Sequence, residues 1–243
     1  MNSQTNTLRF DAIPVIDLME GNVVRAKRGE RHAYRAIASS LCDSPDPVKV
    51  AHALFELYPF KTLYIADLDA IQRRGNHLET VAALRTALPQ TEIWIDAGIA
   101  TVADCKPWLA LGLHCVLGSE SQSDADDTRR LIEQAGPQQV VLSLDFAEGL
   151  RKGPDALFDN AQHWPDRVIA MTLARVGSYE GPDFDLLQNI LHRAPGRSLY
   201  AAGGVRDSGD LQALKAMGIA GALLASALHD RKLAPEHIAS LMQ

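Results

Sequence analysis

Cysteine is scarce in this sequence, and that scarcity argues against two classes of small scaffold. The 243 residues include 3 cysteines, and no two of them form a C-x-x-C pair. A disulfide framework needs paired cysteines, and the common zinc sites need cysteines at short, regular spacings. The 8 histidines show no metal-ligand spacing either. We therefore expect reduced thiols in a cytoplasmic protein, with no metal site.

Long apolar runs and an excess of positive charge are also missing. No apolar run approaches the roughly 18 residues of a membrane span. The N-terminal stretch MNSQTNTLRF is polar and lacks the apolar segment of a secretory signal. The net charge of −6 argues against a surface for nucleic acid. We therefore expect neither a membrane nor a nucleic acid as a partner.

What the sequence does contain is an internal repeat. Residues 13–24 read IPVIDLMEGNVV, and residues 141–152 read VLSLDFAEGLRK. In each segment an apolar run ends in an aspartate, Asp17 or Asp145, and a Glu-Gly pair follows at the same distance. A buried strand that releases one carboxylate at its C-terminal end is how parallel barrels present catalytic groups.

A second pair of segments extends the repeat along the chain. In IWIDAGIATVADCKPWLALG and LYAAGGVRDSGDLQALKAMG, one common offset pairs Gly98 with Gly204 and Gly112 with Gly218. Each half of the chain then contains four strand–helix units. Strands that alternate with helices predict a parallel sheet with the helices outside it.

The length fits a closed arrangement of these units. A (β/α)8 TIM barrel typically takes roughly 250 residues, and this chain has 243. We therefore predict an α/β protein with one barrel domain over residues 1–243. Its two half-barrels should cover about 10–135 and 136–243, related by an internal two-fold repeat.

Small residues follow the third, fourth, seventh and eighth predicted strands, where backbone amides could hold a phosphate. They are Gly98, Gly118 and Ser119 in the first half, and Gly203, Gly204, Ala225 and Ser226 in the second. One such turn is weak support, because glycine also serves ordinary tight turns. Two turns related by a repeat predict two phosphate cups, and therefore a ligand with a phosphate at each end.

Asp17 and Asp145 are the candidate catalytic groups. The repeat places them on opposite sides of the barrel mouth, where two carboxylates can act as general acid and general base. The alternative is that both anchor loops through backbone amides. For Asp67 and Asp69, which end the second predicted strand, a site role and a supporting role are equally open.

Cationic side chains cluster in the stretch after the first strand, GNVVRAKRGERHAYR. They are Arg25, Lys27, Arg28, Arg31 and Arg35. In an acidic protein this clustering favours an anionic ligand, although a solvated loop is an equal alternative. A loop of this length inside a compact domain is often a lid or a binding loop.

These motifs resemble the HisA/HisF family of histidine-biosynthesis barrels, which contains a phosphoribosyl isomerase and its sister cyclase. The resemblance covers almost the whole chain through IPVIDLMEGNVVR, YIADLDA, SLDFAEG and AAGGV. By this resemblance Asp17 and Asp145 take the catalytic positions, and Asp67 lies in the second-strand motif. Arg25, with Gly29 after it, is similar to the isomerase, because the cyclase has a lysine at the first of these positions.

The resemblance implies an isomerase that opens a phosphorylated aminoaldose ring and moves a proton to give a ketose, an Amadori rearrangement. The family's isomerase needs no cofactor. Asp17 would be the general base at carbon 2, and Asp145 would help to open the ring. Arg25 argues against a glutaminase subunit, which would serve the cyclase.

The chain departs from the family pattern at two strand ends. Met171 and Thr172 replace Thr-Asp, and Val176 replaces a second aspartate. Asp96-Ala97-Gly98 stands where a glycine-rich turn is usual. These departures favour a substrate other than that of the histidine pathway, such as the phosphorylated ribosyl-aryl amine of methanopterin-type cofactor synthesis. A cyclase or lyase, and a non-catalytic phospho-ligand binder, are the alternatives.

Overall fold

Eleven strands form one sheet in this computed structural model, which describes residues 10–241. The expected domain limits at 1 and 243, and nearly all of the polar N-terminal stretch, lie outside the described residues. The strands are β1 (Asp11–Met19), β2 (Asn22–Arg25), β3 (Arg35–Ala36), β4 (Thr62–Asp67), β5 (Glu92–Asp96), β6 (His114–Gly118), β7 (Val140–Ala147), β8 (Leu150–Lys152), β9 (Arg167–Thr172), β10 (Ser198–Ala202) and β11 (Gly221–Leu224).

Helices follow the strands and cover the outside of the sheet. They are α1 (Pro47–Leu57), α2 (Leu68–Ile71), α3 (Leu78–Ala87), α4 (Val102–Ala110), α5 (Ala125–Ala135), α6 (Asp155–Asp159), α7 (Phe184–Arg193), α8 (Ser208–Met217), α9 (Ser226–His229) and α10 (Pro235–Leu241). Within residues 10–241, none of these helices has the length and apolarity needed to cross a bilayer.

Closure of the sheet confirms the predicted fold. All strands except β2, β3 and β8 run parallel, and β11 pairs in parallel with β1, so that Ile13 lies opposite Leu223. The chain therefore forms a closed barrel of eight parallel strands with helices around it, as the TIM barrel prediction required. The alternation of strand and helix is what made this arrangement predictable, because parallel neighbours need a crossover connection.

Two apolar clusters hold the barrel together. One lies between the sheet and the helices, and the other fills the interior of the barrel. Inside, Tyr64 and Trp94 are neighbours in register, and the ring of Trp94 meets that of Tyr200 edge to face with 4.9 Å between centroids. The interior is therefore packed with side chains, which leaves space for a ligand only at the ends of the strands.

The repeated Asp-x-x-Glu-Gly motif forms a β-hairpin in each half. β2 pairs antiparallel with β1, and β8 pairs in the same way with β7. The φ angles are 51° at Glu20 and 78° at Gly21, and 52° at Glu148 and 77° at Gly149. Positive φ at both central residues is the two-residue turn that matches strand twist. The stretch predicted as a loop from residue 21 therefore begins with a strand instead.

Side-chain caps fix where several helices begin. Asp46 accepts a hydrogen bond from the amide of Lys49 at 2.9 Å, and Pro47 is the first residue of α1, where its missing amide hydrogen costs nothing. At α4, Thr101 and Asp104 form a reciprocal capping box. The first amides of that helix are therefore satisfied by the chain itself.

Gly98 is expected to tolerate replacement less well than Gly112, the other repeat glycine of the first half. A Cβ there would lie 2.8 Å from the Cα of Ile71, and φ is +64°. Gly112 has a similar φ of +71° but no atom within 4 Å of a Cβ. Gly112→Ala should therefore cost about 1 to 2 kcal/mol of strain, whereas Gly98→Ala adds an overpacking cost of about 1 to 3 kcal/mol.

Urea denaturation of the two variants measures this difference in the free energy of unfolding. If Gly98→Ala and Gly112→Ala lost equal free energy of unfolding, close packing against α2 would not be the reason for glycine at position 98.

Candidate active site

A cavity of about 340 Å³ opens at the carboxyl ends of the barrel strands. Its wall includes Asp17 from β1, Asp96 from β5, Asp145 from β7, and Gly204 and Ser226 after β10 and at the start of α9. This volume lies in the range of small-molecule sites. The carboxyl end is also the face at which TIM barrels carry their active sites.

The structure brings the two predicted catalytic aspartates to opposite sides of this cavity. β1 and β7 are four strands apart in the closed ring of eight. Each aspartate sits at the foot of its hairpin, where Asp17 pairs with Val24 and Asp145 pairs with Lys152. A substrate between them would meet one carboxyl group on each side.

Both carboxyl groups titrate near neutral pH. Burial raises the pKa of Asp17 to about 7, against the lowering effect of Arg31. Burial also raises the pKa of Asp145 to about 7, although hydrogen bonds from Ser143 and from the amide of Glu120 favour its ionised form. Groups with a pKa near the working pH are suited to both donating and accepting protons.

Asp96 is a third carboxyl group in the cavity, and sequence reasoning did not assign it to the site. It accepts hydrogen bonds from the hydroxyl of Tyr64 and the amide of Gly98, both at 3.2 Å. Burial raises its pKa to about 6. A Cβ on Gly118 would lie 3.3 Å from Asp145 Oδ2 and 3.6 Å from Asp96 Oδ2, so these two carboxylates flank Gly118. The signal was present in the sequence, because Asp96 ends an apolar run just as Asp17 does.

The residues predicted to form the first phosphate cup are hydrogen bonded to the chain's own carboxylates and backbone. Ser119 is fully buried, and its hydroxyl bonds the carbonyl of Lys152 at 2.6 Å and Asp145 Oδ2 at 3.2 Å. The amide of Gly98 donates to Asp96. Gly98, Gly118 and Ser119 therefore surround carboxylates in this structure and do not line the cavity.

The residues predicted for the second cup are arranged differently. They all line the cavity, and they are Gly203, Gly204, Ala225 and Ser226. Among the described residues, no protein group accepts a hydrogen bond from the amides of Gly204 and Ser226, or from the Ser226 hydroxyl. Hydrogen-bond donors that face a cavity in this way suit the oxygens of a phosphate.

The arginines after β1 form ion pairs across the mouth of the barrel. The pairs are Arg25 with Asp230 at 2.7 Å, Arg28 with Glu180 at 2.8 Å, and Arg31 with Glu120. Arg25 also donates to the carbonyl of Ala38 and does not line the main cavity. Gly29, from the same stretch, does line it. Much of the positive charge predicted to face an anion is therefore paired with carboxylates of other loops around the rim.

Asp67 is fully buried and supports the first hairpin. It accepts from the amide of His77 at 2.6 Å and pairs with His77 Nδ1 at 2.8 Å. His77 Nε2 in turn accepts from the amide of Gly21 at 2.9 Å. The neighbouring Asp69 accepts from the amide of Glu20 at 2.8 Å. The sequence left a site role and a supporting role open for these two aspartates, and their contacts fit the supporting role.

The end of β9 gives the cavity an apolar wall. Met171, Leu173 and Val176 all line it, while Thr172 is buried behind them. The carbonyl of Val176 accepts from the amide of Arg28 at 2.9 Å, which joins this wall to the loop after β1. This side of the cavity offers neither a carboxylate nor an amide side chain to a ligand.

In the part of the chain that the structure describes, no three His, Cys, Asp or Glu side chains come together as ligands for a metal ion. Asp17, Asp96 and Asp145 lie around the cavity without forming such a group.

Comparison with known proteins adds a family and several relatives. The family model described as Histidine biosynthesis protein matches residues 11–234. An isomerase of Elusimicrobium minutum is 30% identical over 234 residues, which cover 90% of this chain and 95% of the relative. It is named 1-(5-phosphoribosyl)-5-((5-phosphoribosylamino)methylideneamino) imidazole-4-carboxamide isomerase.

Two further relatives are similarly distant. An isomerase of the same name from Lactiplantibacillus plantarum is 29% identical, over 88% of this chain and 92% of the relative. An uncharacterized protein of Methanocaldococcus jannaschii is 28% identical, over 93% of this chain and 96% of the relative.

The raised pKa of Asp17 predicts that this residue lowers stability at alkaline pH. A carboxyl whose pKa rises on folding, from 3.8 to about 7, favours the folded state at low pH and loses that contribution as pH rises toward 7. At roughly 1.4 kcal/mol per pKa unit, Asp17→Asn should raise the melting temperature clearly at pH 8 and much less at pH 5. Calorimetry at both values measures the difference.

The exposed Asp185 at the start of α7 supplies the control variant, Asp185→Asn, which should show no such pH dependence. An Asp17→Asn variant that is less stable than the wild type at pH 8 would identify Asp17 as a structural anchor.

Proposed function

This chain belongs to the histidine biosynthesis protein family, and from that membership we propose that it is an isomerase of a phosphorylated aminosugar. The observation that carries the proposal is the opposed pair Asp17 and Asp145, which share one cavity at the mouth of the barrel. Relatives that cover nearly the whole chain are named as isomerases, which supports the reaction class.

The proposed reaction uses the two carboxyls in different protonation states. With a pKa of about 7 for each, a state with one carboxyl protonated and the other ionised is well populated at neutral pH. Protonated Asp145 donates to the ring oxygen of the aminosugar as its bond to carbon 1 breaks, and the nitrogen lone pair forms a C=N bond.

Ionised Asp17 then removes the proton from carbon 2, which gives an enolamine. Loss of the hydroxyl proton at carbon 2 and protonation at carbon 1 complete the ketose, so no proton or electron is gained overall. The remaining carboxyl, Asp96, raises the pKa of both partners through its charge. Its presence favours the state in which the cavity retains a proton.

The phosphate of the substrate would lie at the second cup. Gly204 and Ser226 offer free donors there, on the same cavity as the two aspartates. Binding energy from a phosphate that does not react can hold the sugar in position for proton transfer. Gly203 and Ala225 line the cavity beside this cup, and Gly29 lines the same cavity from the loop after β1.

The substrate proposed here differs from that of the named relatives. Met171 and Val176 make the β9 side of the cavity apolar, and they replace the polar groups that the family resemblance places there. A buried polar substrate group that meets an apolar wall loses hydrogen bonds it makes in water. An apolar or aromatic group on the substrate nitrogen would fit this wall better.

Replacement of either aspartate tests the catalytic assignment. Asp17→Asn and Asp145→Asn should each slow turnover by about 10² to 10⁴-fold, because each removes one proton transfer. The assay incubates N-substituted ribosylamine 5-phosphates in D2O and follows loss of the carbon 2 proton signal by NMR. Phosphate-ligand affinity should stay within about 3-fold of the wild type, with Asp185→Asn as the matched control. Variants that lose binding and folding together would show that the aspartates are structural.

Complementation tests the substrate assignment. The gene should not restore growth without histidine to a cell that lacks the isomerase of the histidine pathway. Loss of one positioned polar group on the β9 side commonly costs about 10² to 10⁴-fold in rate. The Elusimicrobium minutum isomerase, expressed from the same vector, is the positive control. Growth at normal expression would show that the chain accepts the relatives' substrate.

A further inference from the structure

The two halves of the barrel differ at one position beside their phosphate cups. The offset that pairs Gly98 with Gly204 also pairs Asp96 with Ala202, since each lies two residues before its glycine and ends its strand. Both Asp96 and Ala202 line the cavity. One half therefore carries a carboxylate where the other carries a methyl group.

This difference decides whether the neighbouring glycine amide is free. In the first half, Asp96 Oδ1 accepts from the amide of Gly98 at 3.2 Å, and Oδ2 accepts from the hydroxyl of Tyr64 at the same distance. In the second half, the side chain of Ala202 has no acceptor, and the amide of Gly204 has no protein partner within residues 10–241. The carboxylate of Asp96 therefore occupies the amide of Gly98, whereas the matching amide of Gly204 is open to a ligand.

Other anions strengthen the contrast. Glu120 lies on the same side of the cavity as Asp96, and its amide donates to Asp145. The starts of α4 and α8 are alike, because Asp104 and Asp210 each accept from the backbone amide four residues earlier, so the contrast does not depend on them. A phosphate at this end would have to displace carboxylates from backbone amides and would be repelled by their charge.

The cations near this end do not offset these anions. Arg31 lines the cavity but is paired with Glu120. Lys152 also lines it, as an exposed side chain at the rim on β8. Of the four carboxylates that border the cavity, those of Asp96, Glu120 and Asp145 lie on this side, whereas Asp17 on β1 lies next to β11. The cavity is therefore anionic on the side of the first cup.

We propose that Asp96 determines specificity by excluding a phosphate from the first half of the barrel. The substrate then carries a single phosphate, held at the Gly204 and Ser226 end, and the end that faces Asp96 is uncharged or cationic. This inference rests on the proposed function and names its substrate class, a sugar monophosphate. The relatives' substrate name, in contrast, contains two phosphoribosyl groups.

The test exchanges the residue types at the paired positions 96 and 202. Ribose 5-phosphate and ribulose 1,5-bisphosphate serve as probes, with dissociation constants measured by calorimetry at pH 8, where the cavity carboxylates are ionised. In the wild type the two probes should bind within about 3-fold of each other. In Asp96→Ala, the bisphosphate should bind about 10-fold tighter than the monophosphate, because a second cup is now open.

The reverse exchange and two control variants complete the design. Ala202→Asp should weaken both probes by about 10-fold or more, because it closes the second cup in the same way. Asp96→Asn keeps the shape of the side chain and the contact with Gly98 while removing the charge. It should therefore give a smaller gain in bisphosphate affinity than Asp96→Ala. Asp185→Asn should match the wild type. Crystals soaked in sulfate should show one site in the wild type and two in Asp96→Ala.

The possible outcomes separate the two proposals. A wild-type protein that binds the bisphosphate about 10-fold tighter, or that holds two sulfates, overturns the single-phosphate inference and leaves the proposed function standing. An unchanged probe ratio in both Asp96 variants overturns the role of Asp96. A wild-type protein that binds neither probe overturns the phosphate cup of the proposed function, and the inference with it.

Discussion

Three aspartates share one cavity at the mouth of this barrel, and their burial together sets what the site can do. The charge of Asp96 acts on both Asp17 and Asp145, and all three carboxyls are partly or fully withdrawn from solvent, so ionisation of all three is unfavourable. The pKa values of about 7, 6 and 7 for Asp17, Asp96 and Asp145 follow mainly from that burial. The closed sheet enforces this, because it fixes where each strand releases its side chain.

Burial of these carboxyl groups lowers the stability of the protein, and packing elsewhere in the fold must compensate for it. Carboxylates held in an apolar setting favour the folded state less as they ionise. The barrel offsets this through an interior filled by side chains such as Trp94 and Tyr200, and through strands buried on both faces. Functional sites often lower the stability of the fold that carries them.

Periodicity was enough to predict the fold, because alternating strands and helices of this number and length permit few arrangements. It also predicted that Asp17 and Asp145 lie on opposite sides of the mouth, since a repeat in sequence becomes symmetry around a closed ring. Periodicity did not show that Asp96 accepts a hydrogen bond from the amide of Gly98, or that Ser119 is buried. Such contacts depend on which of several nearby donors a carboxylate reaches, and that follows from distances of a few ångströms rather than from residue spacing.

The ion pairs around the mouth have a consequence for how the site responds to salt. Arg25, Arg28 and Arg31 lie on one short stretch after β1, and their partners lie at three separate places on the rim, after β11, β9 and β6. That stretch also forms part of the cavity wall. Dissolved salt screens ion pairs between exposed groups more than it screens buried charges. Raising the ionic strength would therefore loosen this part of the wall while leaving the buried carboxyls largely unaffected.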